Sequence, residues 1–346
     1  MNKYLIMEKD YWRICRLGER GMALLLTLFV TIILAVVVLE FNYLIRVHAT
    51  LSGNLVDDLQ TQAAARRGIE TAKALLLNDL SADTEEGILA DTLQEEWASE
   101  ITCKTSSAVA EVRVTDEMSK LNLNSLVKDS LSETQIESVN QDMVDSVKYL
   151  FELLDIDPNL VDGIVDWVDE NDQEEPFGAE NEYYESLEAP LKCKDGPLDS
   201  IEELLLIKGF DSKMLYGDEE NPGLAAFVTV FGDAKGSVNI NTADEKALAA
   251  ILKSEAAAQT IVDAREDDPF ETSADIAARL PDLELKGRMT TGSSYFLVSS
   301  LGALPAEGEP TRQVKIKTFL KRRTPEGLQV EENYLTIETA YWKMER

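Results

Sequence analysis

The chain has 346 residues, enough for two or three compact units with a sizeable core. It carries 33 Lys+Arg against 64 Asp+Glu, a net charge of −31, which is the wrong sign for clustered phosphate neutralisation and argues against a nucleic-acid partner. A single histidine, His48, leaves almost no inventory for His-based catalysis or a His-rich metal site.

The N-terminal segment is the most informative. Residues 1–21 are short and basic, with Lys3, Lys9, Arg13, Arg16 and Arg20 against Glu8, Asp10 and Glu19. Met22 to Leu39 follows without a charge. As a helix this stretch spans about 27 Å, close to the hydrocarbon thickness of a bilayer. Basic residues before it and acidic mass after it place the N-terminus on the cytoplasmic side. A signal anchor or a cleaved signal peptide is the plainer reading. Against cleavage, the apolar run is long and no small-x-small site follows it.

Leu44, Val47, Leu51, Leu55 and Leu59 then recur at spacings of three and four, and Ala63 to Ala65, Ile69 and Leu75 to Leu77 continue the stripe. The pattern predicts one helix from about Met22 to Leu77, roughly 80 Å long by its rise per residue.

Ala108 to Val114 alternates as a half-buried strand does, within a first strand predicted from about Ile101 to Val114. Residues from about Asp116 to Arg288 read as helical and loop-rich. Helices are predicted over Leu131 to Leu154, Pro158 to Val168, Leu198 to Ile207, Ala243 to Leu252 and Ala256 to Ala264. After Gly292 the period returns to two: Tyr295 to Leu301 and Val314 to Leu320 fit strands, Leu335 to Tyr341 marks a third, and Gly302 to Thr311 is a loop. Strands on both sides of a helical block imply an α+β domain interrupted by a large α-helical insertion.

Within the block, Asp166 to Tyr184 concentrates Asp166, Asp169, Glu170, Asp172, Glu174, Glu175, Glu180 and Glu182, with Asn171 and Gly178. Oxygen ligands without His or Cys suit a hard cation, calcium above magnesium; a solvated acidic loop is the alternative reading. Asp169, Asn171, Gln173 and Glu180 fall at positions 1, 3, 5 and 12 of an EF-hand spacing, but Glu174 replaces the required Gly and Pro176 interrupts the loop. No Gly-rich phosphate loop, nucleophile elbow or Cys/His pair is visible, so the chain is read as a non-enzyme. An anchored hydrolase using paired carboxylates is the remaining enzyme reading.

Several segments carry a family resemblance. Arg20-Gly21-Met22-Ala23-Leu24-Leu25 resembles a prepilin peptidase junction, and Leu26 stands where most pilins and pseudopilins carry Glu. Glu96-Trp97-Ala98, Lys120-Leu121-Asn122-Leu123-Asn124-Ser125-Leu126, Asp166-Trp167-Val168-Asp169, Gly178-Ala179-Glu180, Ile207-Lys208-Gly209-Phe210 and Val238-Asn239-Ile240-Asn241-Thr242-Ala243 follow in order. Together they resemble the K subunits, minor pseudopilins of the bacterial type II secretion system. The resemblance implies a leader over 1–21 removed between Gly21 and Met22, N-methylation of Met22, and a single transmembrane helix over 22–41 in the bacterial inner membrane. It implies a pilin-like helix and first strand over 42–115, an inserted helical, SAM-like domain over 116–290 in two parts (about 116–235 and 236–290), and closing strands over 291–346. It further implies a periplasmic location at the pseudopilus tip. The implied partners are minor pseudopilins I and J, the other pseudopilins, the inner-membrane assembly platform and the prepilin peptidase. It favours calcium in the acidic loop, with Asp169, Asp172 and Glu180 as first choices and Asn171 and Asp166 beside them. In an oxidising periplasm Cys103 and Cys193 could form a disulfide or remain two free thiols.

Asn239 to Ala243 also resembles the helix-hairpin-helix units of DNA-uptake proteins, which makes an anchored DNA-binding protein the alternative function. The hairpin candidate Lys253-Ser254-Glu255 lacks Gly, and Glu266, Asp267 and Asp268 would repel an anion. The preferred reading is that Asn241 caps a helix and the fold is reused structurally.

Overall fold

The computed structural model describes residues 4–128, 138–281, 288–305, 312–323 and 337–345. The chain divides into two units, Met1–Gln60 and Thr61–Arg346. The described residues of the first are helical, the leading part of α1 (Tyr4–Glu86). Its side chains from Met22 to Leu39 lie open, Leu24 at 72% and Leu39 at 69% exposure. So much apolar surface is compatible with lipid and not with water, and a helix satisfies its own backbone in lipid. The helix continues past the predicted Leu77 and stops at Gly87, whose φ of +74° supplies the left-handed turn of a helix end.

In the second unit, the predicted first strand is a hairpin of β1 (Ile101–Lys104) and β2 (Val109–Asp116). The chain reverses where the Thr105 amide donates to the Ala108 carbonyl at 2.8 Å, across Ser106-Ser107. The insertion opens with the short strands β3 (Leu121–Asn122), β4 (Val127–Lys128) and β5 (Ser138–Val139). It continues through α2 (Gln141–Leu153), α3 (Leu160–Val168), α4 (Asn181–Glu185), α5 (Ser212–Tyr216), β6 (Val228–Thr229) and β7 (Val238–Asn239). It closes with α6 (Glu245–Leu252), α7 (Glu255–Asp267), α8 (Ser273–Arg279) and β8 (Met289–Thr290). Then β9 (Tyr295–Ala303), β10 (Gln313–Arg322) and β11 (Ile337–Glu345) complete an antiparallel sheet of order β1-β2-β9-β10-β11. Thus β2 and β9 pair directly although the whole insertion separates them in sequence. This is the interrupted α+β architecture expected from the sequence.

The sheet buries Ala110, Val112, Val114, Phe296, Val298, Val314, Ile316 and Leu320 against Ala64, Ala65, Ile69, Ala72 and Leu76 of α1. Small residues on the helix bring the backbones close. A Cβ at Gly68 would overlap Ser300 Oγ and Val112 Cγ2, so the helix rests on the sheet with no room for a side chain. Gly68→Val is expected to cost about 1–3 kcal/mol by overpacking. Thermal unfolding of the full chain in detergent reads this as a fall in melting temperature.

The insertion has one core running from Leu121 to Met289, so its two predicted parts are fused. Arg288 joins them: its guanidinium donates to the Asp142 carbonyl at 3.0 Å and Ser146 Oγ at 2.9 Å in α2, and to the Ile251 carbonyl at 3.2 Å in α6. Three local expectations change. Of the helix predicted over Leu131 to Leu154, α2 starts only at Gln141, β5 precedes it, and 131–137 lie outside the described residues. Residues Ile201–Leu206 are a 3₁₀ helix that opens with a Ser200–Glu203 capping box. Asn241 caps no helix: Asp244 does, accepting from the Lys246 amide, while Asn241 clamps Phe270 through 2.8 Å bonds to its amide and carbonyl. The α6–α7 turn is made by Lys253 in the left-handed region and by Ser254, whose hydroxyl accepts from the Ala257 amide. Lys253 itself bonds Asp145 at 2.7 Å.

Candidate metal centre

Buried on every side from Val161 to Val168, α3 carries a carboxylate into the interior: Asp166 is 0% exposed. Asp169, three residues on, ends the helix on the same face, also buried. The loop then folds back over Asp166. The Glu175 amide donates to Asp166 Oδ1 at 3.0 Å, and Gly178 lies so close that a Cβ there would overlap Asp166 Oδ2. Glycine at 178 is therefore a steric requirement of the closed loop.

Glu180 follows at the N-terminal end of α4, only 7% exposed, and neither of its carboxylate oxygens has a hydrogen-bond partner. Burial first, then the charges of Asp166, Asp169, Asp195 and Asp172, push its pKa up to about 7. Burial likewise raises Asp166 to about 6, against the two backbone amides that favour its charged form. The neighbouring lysines are engaged elsewhere: Lys194 holds Asp199 and Glu203 at 2.7 and 2.8 Å, and Lys208 donates to the Gly178 carbonyl at 2.9 Å. The loop is thus a convergence of carboxylates on a buried acid that lacks a counter-charge.

Of the residues singled out by sequence, Asp166, Asp169, Asp172 and Glu180 share this electrostatic centre, Asp172 from its exposed side. Asn171 does not join it. Its Oδ1 is spent on the Gln173 amide at 2.8 Å, an Asx turn, and the residue is exposed. Asp195 is the participant that sequence reasoning missed. One oxygen each of Glu180 and Asp195, with Cys193 Sγ, lie within 4.8 Å of one another. Asp195 reaches the site from outside the acidic run, in a left-handed conformation (φ 49°), and no local pattern marks it.

Cys193 is a poor ligand for a hard cation. Its thiol donates to the Asp166 carbonyl at 3.3 Å, and burial with the Glu180 charge pushes its pKa up to about 12. Cys103 lies on β1 against the sheet core and Cys193 in the insertion core. Both are free thiols, so the disulfide weighed from sequence is not formed. The donor set left is oxygen only, which fits calcium: irregular loop, several carboxylates, and an unpartnered buried pair of oxygens. Gly21 and Met22 lie in α1, far along the chain from this centre.

The sequence comparisons bear on this same region. Two family models described as Type II secretion system (T2SS), protein K, match residues 119–217 and 238–292. The first contains the whole acidic loop. Both matches lie within the insertion, which is thereby similar to the type II secretion system protein K family. A curated relative, type II secretion system protein K of Aeromonas hydrophila, is 28% identical over 237 residues, covering 66% of this chain and 68% of that protein. The GspK-GspI-GspJ complex of the type 2 secretion system of enterotoxigenic Escherichia coli matches in structure with a TM-score of 0.60. That likeness covers 87% of this chain and 99% of the matched chain at 17% identity, and it speaks for the fold. Members of the protein K family are structural components of secretion, and this chain carries one N-terminal helix long and apolar enough to cross a membrane.

Proposed function

We propose that this protein closes the tip of a periplasmic pseudopilus, anchored in the inner membrane before assembly and joined there by minor pseudopilins I and J. The observation that carries the proposal is the insertion between β2 and β9, which leaves the pilin-like sheet intact but adds a second core beside it. A shaft subunit must accept an identical neighbour at every level, and so large an addition suits a place that is not repeated. Leu26 supports the same place. A carboxylate within an apolar span is costly unless paired, and the family's usual Glu there is thought to pair with an earlier subunit's N-terminal amine. Leucine, which makes no such pair, suits a subunit that enters first. Support for I and J as partners comes from the matched complex, which joins a protein K to an I and a J. We assign calcium to the loop, held by Asp169, Asp172, Glu180 and Asp195, where it neutralises the converging carboxylates and fixes the loop on α3.

The proposal includes cutting after Gly21 by a prepilin peptidase on the cytoplasmic side. Intact-mass and N-terminal analysis of the membrane-bound protein is expected to find a chain starting at N-methyl Met22. A chain retaining Met1, or starting beyond Leu39, contradicts it. Soluble I and J domains from the same genome are expected to co-purify with the full chain.

A further inference from the structure

The fourteen residues that lead from α1 back to the sheet, 87–100, are tied down by a few hydrogen bonds, among them Thr291 Oγ1 to the Leu89 carbonyl at 3.1 Å and Asn239 Nδ2 to the Asp91 carbonyl at 3.0 Å, and by one cluster of charge. The Ile88 amide donates to the Asp83 carbonyl at 3.0 Å, and the Asp91 amide to the Thr291 carbonyl at 2.9 Å. Trp97, 1% exposed, plugs into the sheet core with its ring edge-on to Phe296 at 5.2 Å between centroids. Between these anchors, carboxylate oxygens of Asp91 and Glu95 meet one of Asp79 from α1, all within 4.8 Å of one another. Asp83 and Glu86 on α1, and Asp116 on β2, face the same cluster.

The cation packed into it is Arg322 from β10, itself 2% exposed. It bonds Asp79 at 3.0 Å and both oxygens of Asp91 at 2.6 and 2.5 Å, with the Ser293 carbonyl at 3.0 Å. Glu95 receives none of this guanidinium. Its carboxylate accepts from the Thr92 amide at 2.7 Å and from the Trp97 indole N–H. Glu95 therefore binds the very segment that carries Trp97, and does so beside two acids whose counter-charge is already used. One guanidinium does not neutralise Asp79, Asp83, Asp91 and Glu95 together, so the cluster favours a further positive charge, and a proton on Glu95 supplies one.

We infer that residues 88–98 form a proton-held strap, latched over the helix–sheet core while Glu95 is protonated and loosened when it ionises. The electrostatics run in the same sense. Burial, the first cause in each case, lifts Asp83 to about 6, Asp91 to about 7 and Glu95 to about 8, with Asp79 adding to Glu95. An acid raised in the folded state binds more protons there than in the unfolded chain. Its contribution is full at acid pH and is lost as pH rises toward about 8 for Glu95. A strap of this kind would make the fold answer to the acidity of its compartment.

The test uses the full chain in detergent, with calcium and in chelator as parallel arms, so that a cation in either carboxylate cluster is separated from the effect of a proton. Amide exchange over 88–98, expressed as protection factors, is compared at pH 6 and pH 9. Wild type is expected to lose tenfold or more of its protection in the strap. Glu95→Gln removes the charge and keeps one of the two acceptor oxygens that serve Thr92 and Trp97, and is expected to lose no protection between pH 6 and pH 9. Wild-type protection that does not change between the two pH values overturns the inference, with or without the variant. So does a Glu95→Gln protein that loses as much as wild type.

Discussion

Calcium added to the metal-free full chain is expected to raise its melting temperature, by the equivalent of about 2.7 kcal/mol at a hundredfold excess over Kd. The reason is the state of the loop without an ion. Glu180 is buried with two unpartnered oxygens among Asp166, Asp169, Asp172 and Asp195. A divalent cation removes that repulsion only in the folded chain, where the five carboxylates converge. The pH dependence has a definite sign. Without calcium, Glu180 is raised from 4.5 to about 7, so the fold binds its proton and loses stability as pH rises through that window. With calcium the ionised form is required, and affinity grows with pH over the same window. Glu180→Gln is expected to abolish most of the calcium-dependent shift. In chelator it is expected to be at least as stable as wild type at pH 8, because it removes a charge that the folded loop resists. A melting temperature indifferent to both calcium and chelator contradicts the site.

Arg322→Met is expected to cost about 3–5 kcal/mol, the usual penalty for stranding a buried charge. Asp91 is 1% exposed and Asp79 only partly open, so water cannot replace the guanidinium. The loss is expected to spread beyond the pair. Asp116 and Ser293 sit beside Asp91, and Asp116 accepts from Ser293 Oγ at 2.6 Å, Thr242 Oγ1 at 2.5 Å and Asn239 Nδ2 at 3.1 Å. Those residues mark both crossings between sheet and insertion. Adding Asp79→Asn and Asp91→Asn to Arg322→Met is expected to recover part of the loss, since no buried charge is then left alone. Equilibrium unfolding of the single and triple variants checks both signs; a triple variant weaker than the single one contradicts the account.

Periodicity carried most of the architecture. The three- and four-residue spacing from Ala64 to Leu76 marks the part of α1 buried on the sheet, and the alternation in Val314 to Leu320 marks β10, because a buried face dictates each pattern, whereas Leu44, Leu51, Leu55 and Leu59 of the same stripe stay exposed. Where that face is interrupted the signal fails. The β1–β2 reversal rests on two serines, which any loop or strand end can hold. The helix predicted over Leu198 to Ile207 exists as a 3₁₀ helix over Ile201–Leu206, and so short an apolar spacing does not distinguish the two forms. In the acidic loop, composition points to the whole run from Asp166 to Tyr184, and the resemblance puts Asp169, Asp172 and Glu180 first. Asp195 and the unsuitability of Asn171 depend on how the loop closes, which no spacing encodes. The Arg322 cluster was illegible for a stronger reason. Its partners Asp79 and Asp91 stand 243 and 231 residues away, and pairing at that range appears only when β10 takes its place in the sheet.

The position of this protein in the filament is tested most directly by labelling the assembled pseudopili. A gold-conjugated antibody against the insertion, applied to pseudopili sheared from cells and viewed by negative-stain electron microscopy, reports where each copy sits. A cap subunit is expected to give a single label at one end of each filament. Labels distributed along the shafts, or filaments labelled at neither end while the protein stays in the membrane fraction, would contradict the tip assignment.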